Sequence, residues 1–286
     1  MSQKIVVTHI NPDLDAMTAV WLLRRFHPDF GEARIEFIYA GATFEDKPVD
    51  SDPMVVHVDT GWGKFDHHQT GERTCAAKLV WDWIKQAKPS VGEDEALRRL
   101  IEVVLTIDVE AEDLRYPDPG ADRYAFLFNE RKIISGWQRR YPGKSDQHLE
   151  WGMIVLDGIY ENLKSKLAAE KVLATEGERF ETRWGKGVAA ETNVFGFMPL
   201  AQSQGFAVVA LKDKKKGHVR IHGLDSAGHQ PVDFSTAAEK LRQKDPQATW
   251  FLHASKKLLL NGSTVNPSMV PTKLSLIEVV EVLKSA

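Results

Sequence analysis

The sequence predicts an α/β protein of two domains. Three observations lead there. A short apolar run, a polar turn and a helical pattern follow one another at the N-terminus; a long, mainly helical middle comes next; and the C-terminal part returns to compact apolar runs separated by turn signals. The chain has 286 residues, enough for two domains at roughly 100–200 residues each.

Residues 5–8 read as a strand that ends at the polar turn 9–13, and 16–26 as the helix that follows. Residues 34–40 alternate like a strand, and 54–58 form a compact apolar run typical of a buried one, with the turn-rich stretch 41–53 between them. Ala76, Leu79, Val80, Trp83 and Ile84 mark a helix over 74–86 with Thr74 as its N-cap. Leu97, Leu100, Ile101, Val104 and Leu105 mark another over 93–108. Pro117 and Pro119 precede a helical stretch over 121–140. A long helix over 146–182 is interrupted only by Gly152, Gly158 and Gly177. Strands are expected over 206–211 and 218–222, joined by a Lys-rich turn, then a helix over 234–244 and strands over 249–253 and 258–260. Asn261-Gly262 ends the last strand as a hairpin-type signal, and a helix over 274–283 closes the chain. The expected domains are 1–185, including the linking helix, and 186–286.

Composition narrows the class. Thirty-seven Lys and Arg against 40 Asp and Glu give a formal net charge of −3, which argues against a globally basic nucleic-acid coat. The single cysteine, Cys75, can form neither an intramolecular disulfide nor a tetrathiolate zinc cage. No segment approaches the roughly 18 uncharged apolar residues of a membrane span. The three apolar residues after Lys4 are too few for a secretion signal. A cytoplasmic protein is expected.

Aspartate and histidine gather at the ends of the expected strands. His9-Ile-Asn-Pro-Asp13-Leu-Asp15-Ala16 follows the first, where open α/β sheets bind ligands; Asp13 and Asp15 also suit the cap and first turn of the next helix. Asp59-Thr60-Gly61 follows the buried strand, and Asp66-His67-His68-Gln69 comes shortly after. Asp108 ends an apolar helical run, where an acid opposes the macrodipole and calls for a cationic partner. His9, Asp13, Asp15, Asp59, His67 and Asp108 are carboxylates and imidazoles without thiolate, which favours Mn²⁺ or Mg²⁺ over structural zinc. Six such groups exceed one octahedral ion with open water positions. They suit two ions sharing a carboxylate, roughly 3.5–4 Å apart.

In this order and on this frame, the motifs resemble the DHH phosphoesterase superfamily, which includes RecJ-type exonucleases, oligoribonucleases, cyclic-dinucleotide phosphodiesterases and family II pyrophosphatases. The resemblance implies an N-terminal parallel-sheet domain with helices on both faces, holding two Mn²⁺ for which Mg²⁺ or Co²⁺ can substitute. It also implies a smaller, substrate-binding C-terminal α/β domain closing over an interdomain active site. Carried over, His9 and Asp13 would bind the first metal, Asp15, His67 and Asp108 the second, and Asp59 would bridge. Asp66 would orient the histidines, and His68 would face the substrate phosphate or leaving group. The Gly-Gly-Gly-His segment of the nuclease relatives is missing. Trp250-Phe251-Leu252-His253-Ala254-Ser255, followed by Asn261-Gly262, is instead similar to the ending of a divergent branch described as metal-dependent hydrolases, whose motif also reads Asp-His-His-Gln.

His253, Ser255 and Lys256, and after them Lys257, follow an expected strand and are the choices for a phosphate grip; packing and solvation are the alternative. The basic run from Lys212 to His218 reads first as a solvated hairpin tip and second as a nucleic-acid contact. Trp62 could stack on a base or pack its loop, Trp81, Trp83, Trp137 and Trp151 read as packing residues, and Cys75 as structural. The leading expectation is a Mn²⁺-dependent, exonuclease-like phosphodiesterase acting on a short single-stranded oligonucleotide or small nucleotide. Hydrolysis of pyrophosphate or short polyphosphate is the second, and a metal- and nucleotide-binding regulator without turnover the third. A homodimer is compatible with the sequence but not dictated by it.

Overall fold

The structure, a computed structural model, describes residues 3–109, 129–194 and 196–286; Pro117, Pro119 and the first part of the helix expected over 121–140 lie outside them. The chain forms two compact units, Met1–Leu163 and Lys164–Ala286.

Unit 1 runs β1 (Ile5–His9), α1 (Leu14–Phe26), β2 (Arg34–Ile38), β3 (Val55–His57), α2 (Ala76–Ala87), the single turn α3 (Pro89–Gly92), α4 (Glu95–Val109), α5 (Glu130–Arg140) and the start of α6 (Ser145–Thr175). The strands form a parallel sheet in the order β2-β1-β3. In β1, the consecutive residues Val6 and Val7 are both fully buried, the pattern of a central parallel strand rather than of alternation. Because all three strands run the same way, their carboxyl ends share one edge, to which β1 delivers His9 and β3 delivers Val58-Asp59.

Helix α1 is buried without a break from Leu14 to Leu23, so it has an inner helix's all-round apolarity instead of a single stripe. Its two early polar residues are nonetheless accommodated. Thr18 Oγ1 donates to the Leu14 carbonyl (2.6 Å), and Asp15 reaches α2. At Gly152 of α6 a β-carbon would collide with Met17 Sδ, so glycine here permits the close approach of α6 to α1. Trp21 Nε1 donates to Asp157 Oδ1 of α6 (2.8 Å).

Unit 2 contains β4 (Glu178–Thr182), β5 (Gly185–Glu191), α7 (Phe197–Ser203), β6 (Val208–Lys212), β7 (Val219–Gly223), α8 (Ser235–Lys244), β8 (Trp250–Leu252), β9 (Leu258–Asn261) and α9 (Leu276–Ser285). One sheet, ordered β4-β5-β6-β7-β9-β8, takes in every strand; only β5 and β6 pair in parallel. Alternate residues of β5 and β6 enter different cores. Val188, Ala190, Val209 and Leu211 pack with Ala169, Val172 and Leu173 of α6 and with Phe197 of α7. Ala189, Val208 and Ala210 pack with Trp184, Phe234 and Val280 on the other face.

Three expectations require correction. The long helix ends at Thr175, and residues 178–182 are β4, paired with a β5 that the sequence did not announce. Accordingly, the units divide at 163/164 rather than 185/186: β4 pairs with β5 across the expected junction, and the C-terminal part of α6 packs into the unit 2 core. Asn261-Gly262 is not a simple hairpin turn. Asn261 is fully buried; its amide nitrogen donates to the carbonyls of Thr249 (3.0 Å) and Val270 (3.1 Å), and its oxygen accepts from Thr272 N (2.6 Å).

Candidate metal centre

The site is built from the loops at the carboxyl edge of the β2-β1-β3 sheet and from the end of α4. His9 closes β1. Its Nδ1 lies 3.0 Å from the Ile10 carbonyl and its Nε2 3.2 Å from Asp59 Oδ2. A carbonyl can only accept, so Nδ1 carries the proton, and in the neutral ring Nε2 is the free ligand atom. Asp13 fulfils the capping alternative with one oxygen: Oδ1 accepts from Asp15 N (3.0 Å) and Ala16 N (3.1 Å).

Asp15 serves another helix. Its Oδ2 accepts from Ala76 N (2.7 Å) and its Oδ1 from Ala77 N (2.9 Å). The residue at the N-cap of α2 is Cys75, which makes no side-chain cap bond, so a buried carboxylate distant in sequence supplies what Thr74 was expected to give. Cys75 lies in the same place, fully buried, and burial with the nearby Asp15 pushes its thiol far up. The helix N-terminus does not activate it.

Asp59 is buried and takes a left-handed φ of +54°, held by its N–H to the Phe65 carbonyl (2.9 Å). The turn closes through Gly61, also left-handed at +85°, where a β-carbon would stand 3.2 Å from the Ala42 carbonyl and from His57 Cδ2. The sequence reading passed over two supports of this turn. Thr60 Oγ1 accepts from Gly41 N (3.1 Å), and His57 Nε2 accepts from Phe44 N (2.9 Å). The only available signal was their place beside Asp59.

His67 stands among three carboxylates, its Nε2 3.4 Å from Asp59 Oδ1, 3.5 Å from Asp108 Oδ2 and 3.8 Å from Asp15 Oδ2. Asp66 holds the neighbouring histidine. Its Oδ1 accepts from His68 N (3.1 Å) and lies 2.8 Å from His68 Nδ1, while Oδ2 accepts from Trp62 N (2.8 Å). Asp66 therefore orients His68, whereas His67 is oriented by Asp15, Asp59 and Asp108.

The electrostatics are those of crowded acids. Burial, then Asp59 and Asp108, push Asp15 up to about 8. Burial likewise lifts Asp108 to about 6 despite His67. The Asp59 carboxylate beside it raises His67 to about 9. Burial opposes the charged form of His9, yet Asp59, the Ile10 carbonyl and Asp13 outweigh it and bring His9 to about 9. Protons on two imidazoles thus balance charge that divalent cations would balance better. Asp59 Oδ1 and Asp108 Oδ2 are buried with no hydrogen-bond partner, a costly state for acceptor oxygens. Both face His67 Nε2.

Among the described residues, three groups bring donor atoms within 4.8 Å of one another: His9, Asp13 and Asp59; Asp15, His67 and Asp108; and Asp59, His67 and His68. The first two groups contain the six ligands expected from sequence, and Asp59 belongs to both the first and the third. This donor set fits hard divalent ions. A cleft of about 340 Å³ opens over His9, Asp13, Asp59, Asp66 and His68, with Trp62 at its rim.

The grip residues lie in unit 2 and engage their own neighbours. His253 Nδ1 is 2.9 Å from Ser255 Oγ and accepts from Ser255 N (3.1 Å), and Lys256 pairs with Asp233 (2.9 Å). The Lys-rich segment is a hairpin tip in which Asp213 Oδ1 accepts from the N–H groups of Lys215 (2.8 Å) and Lys216 (2.7 Å).

No protein-family model and no curated protein matches the sequence. Among solved structures, the chain is similar to a pGpG-specific phosphodiesterase, PggH, from Vibrio cholerae, at 12% identity and TM-score 0.35 over 98% of both chains. It is also similar to a DHH domain described as belonging to a family of ribosomal proteins, at 12% identity and TM-score 0.34, over 99% of this chain and 86% of that one. RecJ from Thermus thermophilus in complex with Mg²⁺ is matched at 12% identity and TM-score 0.34, and there the chain spans about half, 49%, of the other's length.

Proposed function

We propose that the protein is a metal-dependent phosphoesterase that hydrolyses a phosphodiester in a short oligonucleotide or small nucleotide, with two Mn²⁺ ions, or Mg²⁺ or Co²⁺ in their place. The observation that supports this most is the convergence of His9, Asp13, Asp15, Asp59, His67 and Asp108 on one sheet edge, with two buried carboxylate oxygens that face His67 and accept no hydrogen bond. His9 and Asp13 would hold one ion, Asp15, His67 and Asp108 the other, and Asp59, flanked by both imidazoles, would be shared.

Bound there, the ions would lower the pKa of water and neutralise charge on the phosphoryl oxygens. The chain's part is to fix geometry. Asp15 cannot rotate because two α2 amides hold both its oxygens. Asp66 fixes His68 through Nδ1, and Nε2 is left to meet the substrate. Hydrolysis forms a bond from a water oxygen to phosphorus and breaks the ester P–O bond; the proton released by the water passes to solvent, and His68 delivers one proton to the departing oxygen and recovers it from solvent. His253, Ser255 and Lys256 are proposed to bind substrate phosphate.

The test is a panel: the Mn²⁺-loaded chain is offered an oligoribonucleotide, a dinucleotide and pyrophosphate, and products are measured. Cleavage of the two nucleotides is expected. Turnover of pyrophosphate alone would replace the phosphodiester reading. If no substrate is cleaved while Mn²⁺ and nucleotide still raise the melting temperature, the protein is a binding module instead.

A further inference from the structure

Trp62 is 57% exposed and has a φ of +61°, a conformation that bulky side chains almost never adopt outside constrained sites. Burial of the indole does not explain the conformation, since more than half of the side chain faces solvent. What holds it is Asp66, whose Oδ2 accepts the Trp62 N–H while its Oδ1 holds His68. One buried carboxylate thus holds the backbone of Trp62 and the half-exposed imidazole of His68, and the two rings lie with centroids 6.4 Å apart in an edge arrangement. Gly41, itself left-handed, lies against the indole edge, where a β-carbon would stand 3.3 Å from Nε1.

Exposed Trp62 lines the rim of a cleft that it shares with His9, Asp13, Asp59, Asp66 and His68, of which Asp59 and Asp66 are buried at its floor. Floor and rim therefore offer different chemistry. The floor suits a phosphate bound through cations, and the rim offers a flat π-face next to it. A ligand that uses both has an anionic group and a planar ring within reach of each other, as a nucleotide has.

We propose that Trp62 is a stacking platform for the nucleobase of the nucleotide whose phosphate occupies the cleft, and that it makes the site selective for nucleotide esters over base-free phosphates. This rests on the phosphoesterase reading and narrows it. The platform tolerates any base, because every base presents a π-face; selectivity lies between substrates with and without a base. Asp66 is then a positioning residue for two groups at once.

The test is calorimetric binding to the Mn²⁺-loaded full chain, with a phosphorothioate-linked dinucleotide as one probe and methylenediphosphonate as the base-free probe. Trp62→Gly is the informative variant, because glycine takes the left-handed φ freely and so retains the loop. It should weaken dinucleotide binding about tenfold, equal to about 1.4 kcal/mol, and leave methylenediphosphonate unchanged, while Trp62→Phe should stay within about threefold of the wild type on both probes. Equal weakening of both probes in Trp62→Gly would make the indole a support of the loop and overturn the platform. Unchanged dinucleotide affinity in Trp62→Gly, with the wild type still cleaving dinucleotides, would remove the platform and leave the phosphoesterase reading intact. A wild type that neither binds nor cleaves any nucleotide would remove both.

Discussion

The two units treat buried polar groups in opposite ways. In unit 2, Asn261 makes three hydrogen bonds at full burial, and Asp245 Oδ2 accepts from Thr272 Oγ1 and Lys273 N (both 2.8 Å). Apart from Trp250 Nε1, no buried side-chain polar atom described in unit 2 lacks a partner. In unit 1, carboxylates crowd one another and two of their buried oxygens accept no hydrogen bond. A saturated polar network is a structural brace. A cluster of like charges with unmet acceptors is arranged for something other than the fold.

This contrast is broken or sharpened by substitution. The largest effect is expected for Asp59→Asn, which should remove metal binding by elemental analysis and lower activity by more than the roughly 10–100-fold that losing an outer partner of a ligand costs; normal metal content would break the comparison at its centre. Next is Asn261→Ala, which strands the Thr249 carbonyl and the Thr272 N–H and leaves the Val270 carbonyl with only the Thr249 N–H. It should destabilise unit 2 by about 3 kcal/mol in urea unfolding and leave metal content unchanged. A loss under about 1 kcal/mol would show that the brace carries little. Asp66→Asn should lower activity by roughly 10–100-fold with metal retained, because it loosens His68 and the Trp62 turn without touching a proposed ligand. The smallest effect is expected from replacing Lys214, Lys215 and Lys216 together by Gln. These side chains are exposed on a hairpin tip and Lys214 pairs only at the surface, with Glu176, so activity should stay within about twofold and its salt dependence should not change. A flattened salt dependence would turn the tip into a backbone contact.

The residues of the acid and histidine cluster were legible in the sequence, because strand ends, Asp-His-His and the acid at the end of α4 are local signals. Their division of labour was not. Asp13 lies where a cap is expected and is one, whereas Asp15, two residues on, caps α2, a partner no local pattern could reveal. The strands of unit 2 with alternating or compact apolar runs, β6, β7, β8 and β9, were visible. β5 was not, because Gly185, Gly187, Ala189 and Ala190 have weak strand preference and both of its faces are buried. Asn261-Gly262 has the composition of a hairpin turn, but tertiary hydrogen bonds at full burial override it.

Cys75 gives the molecule an internal clock. It is the only thiol in the chain and lies at the foot of α2, sealed from solvent beneath the Asp15 cap. A thiol reagent can reach it only when that part of unit 1 opens. The rate of labelling therefore reports the free energy of a single local opening event. Because the cap is made by a residue of the acid and histidine cluster, binding of a cation there, at a site the reagent never touches, would be read out as slower labelling of one sulfur atom.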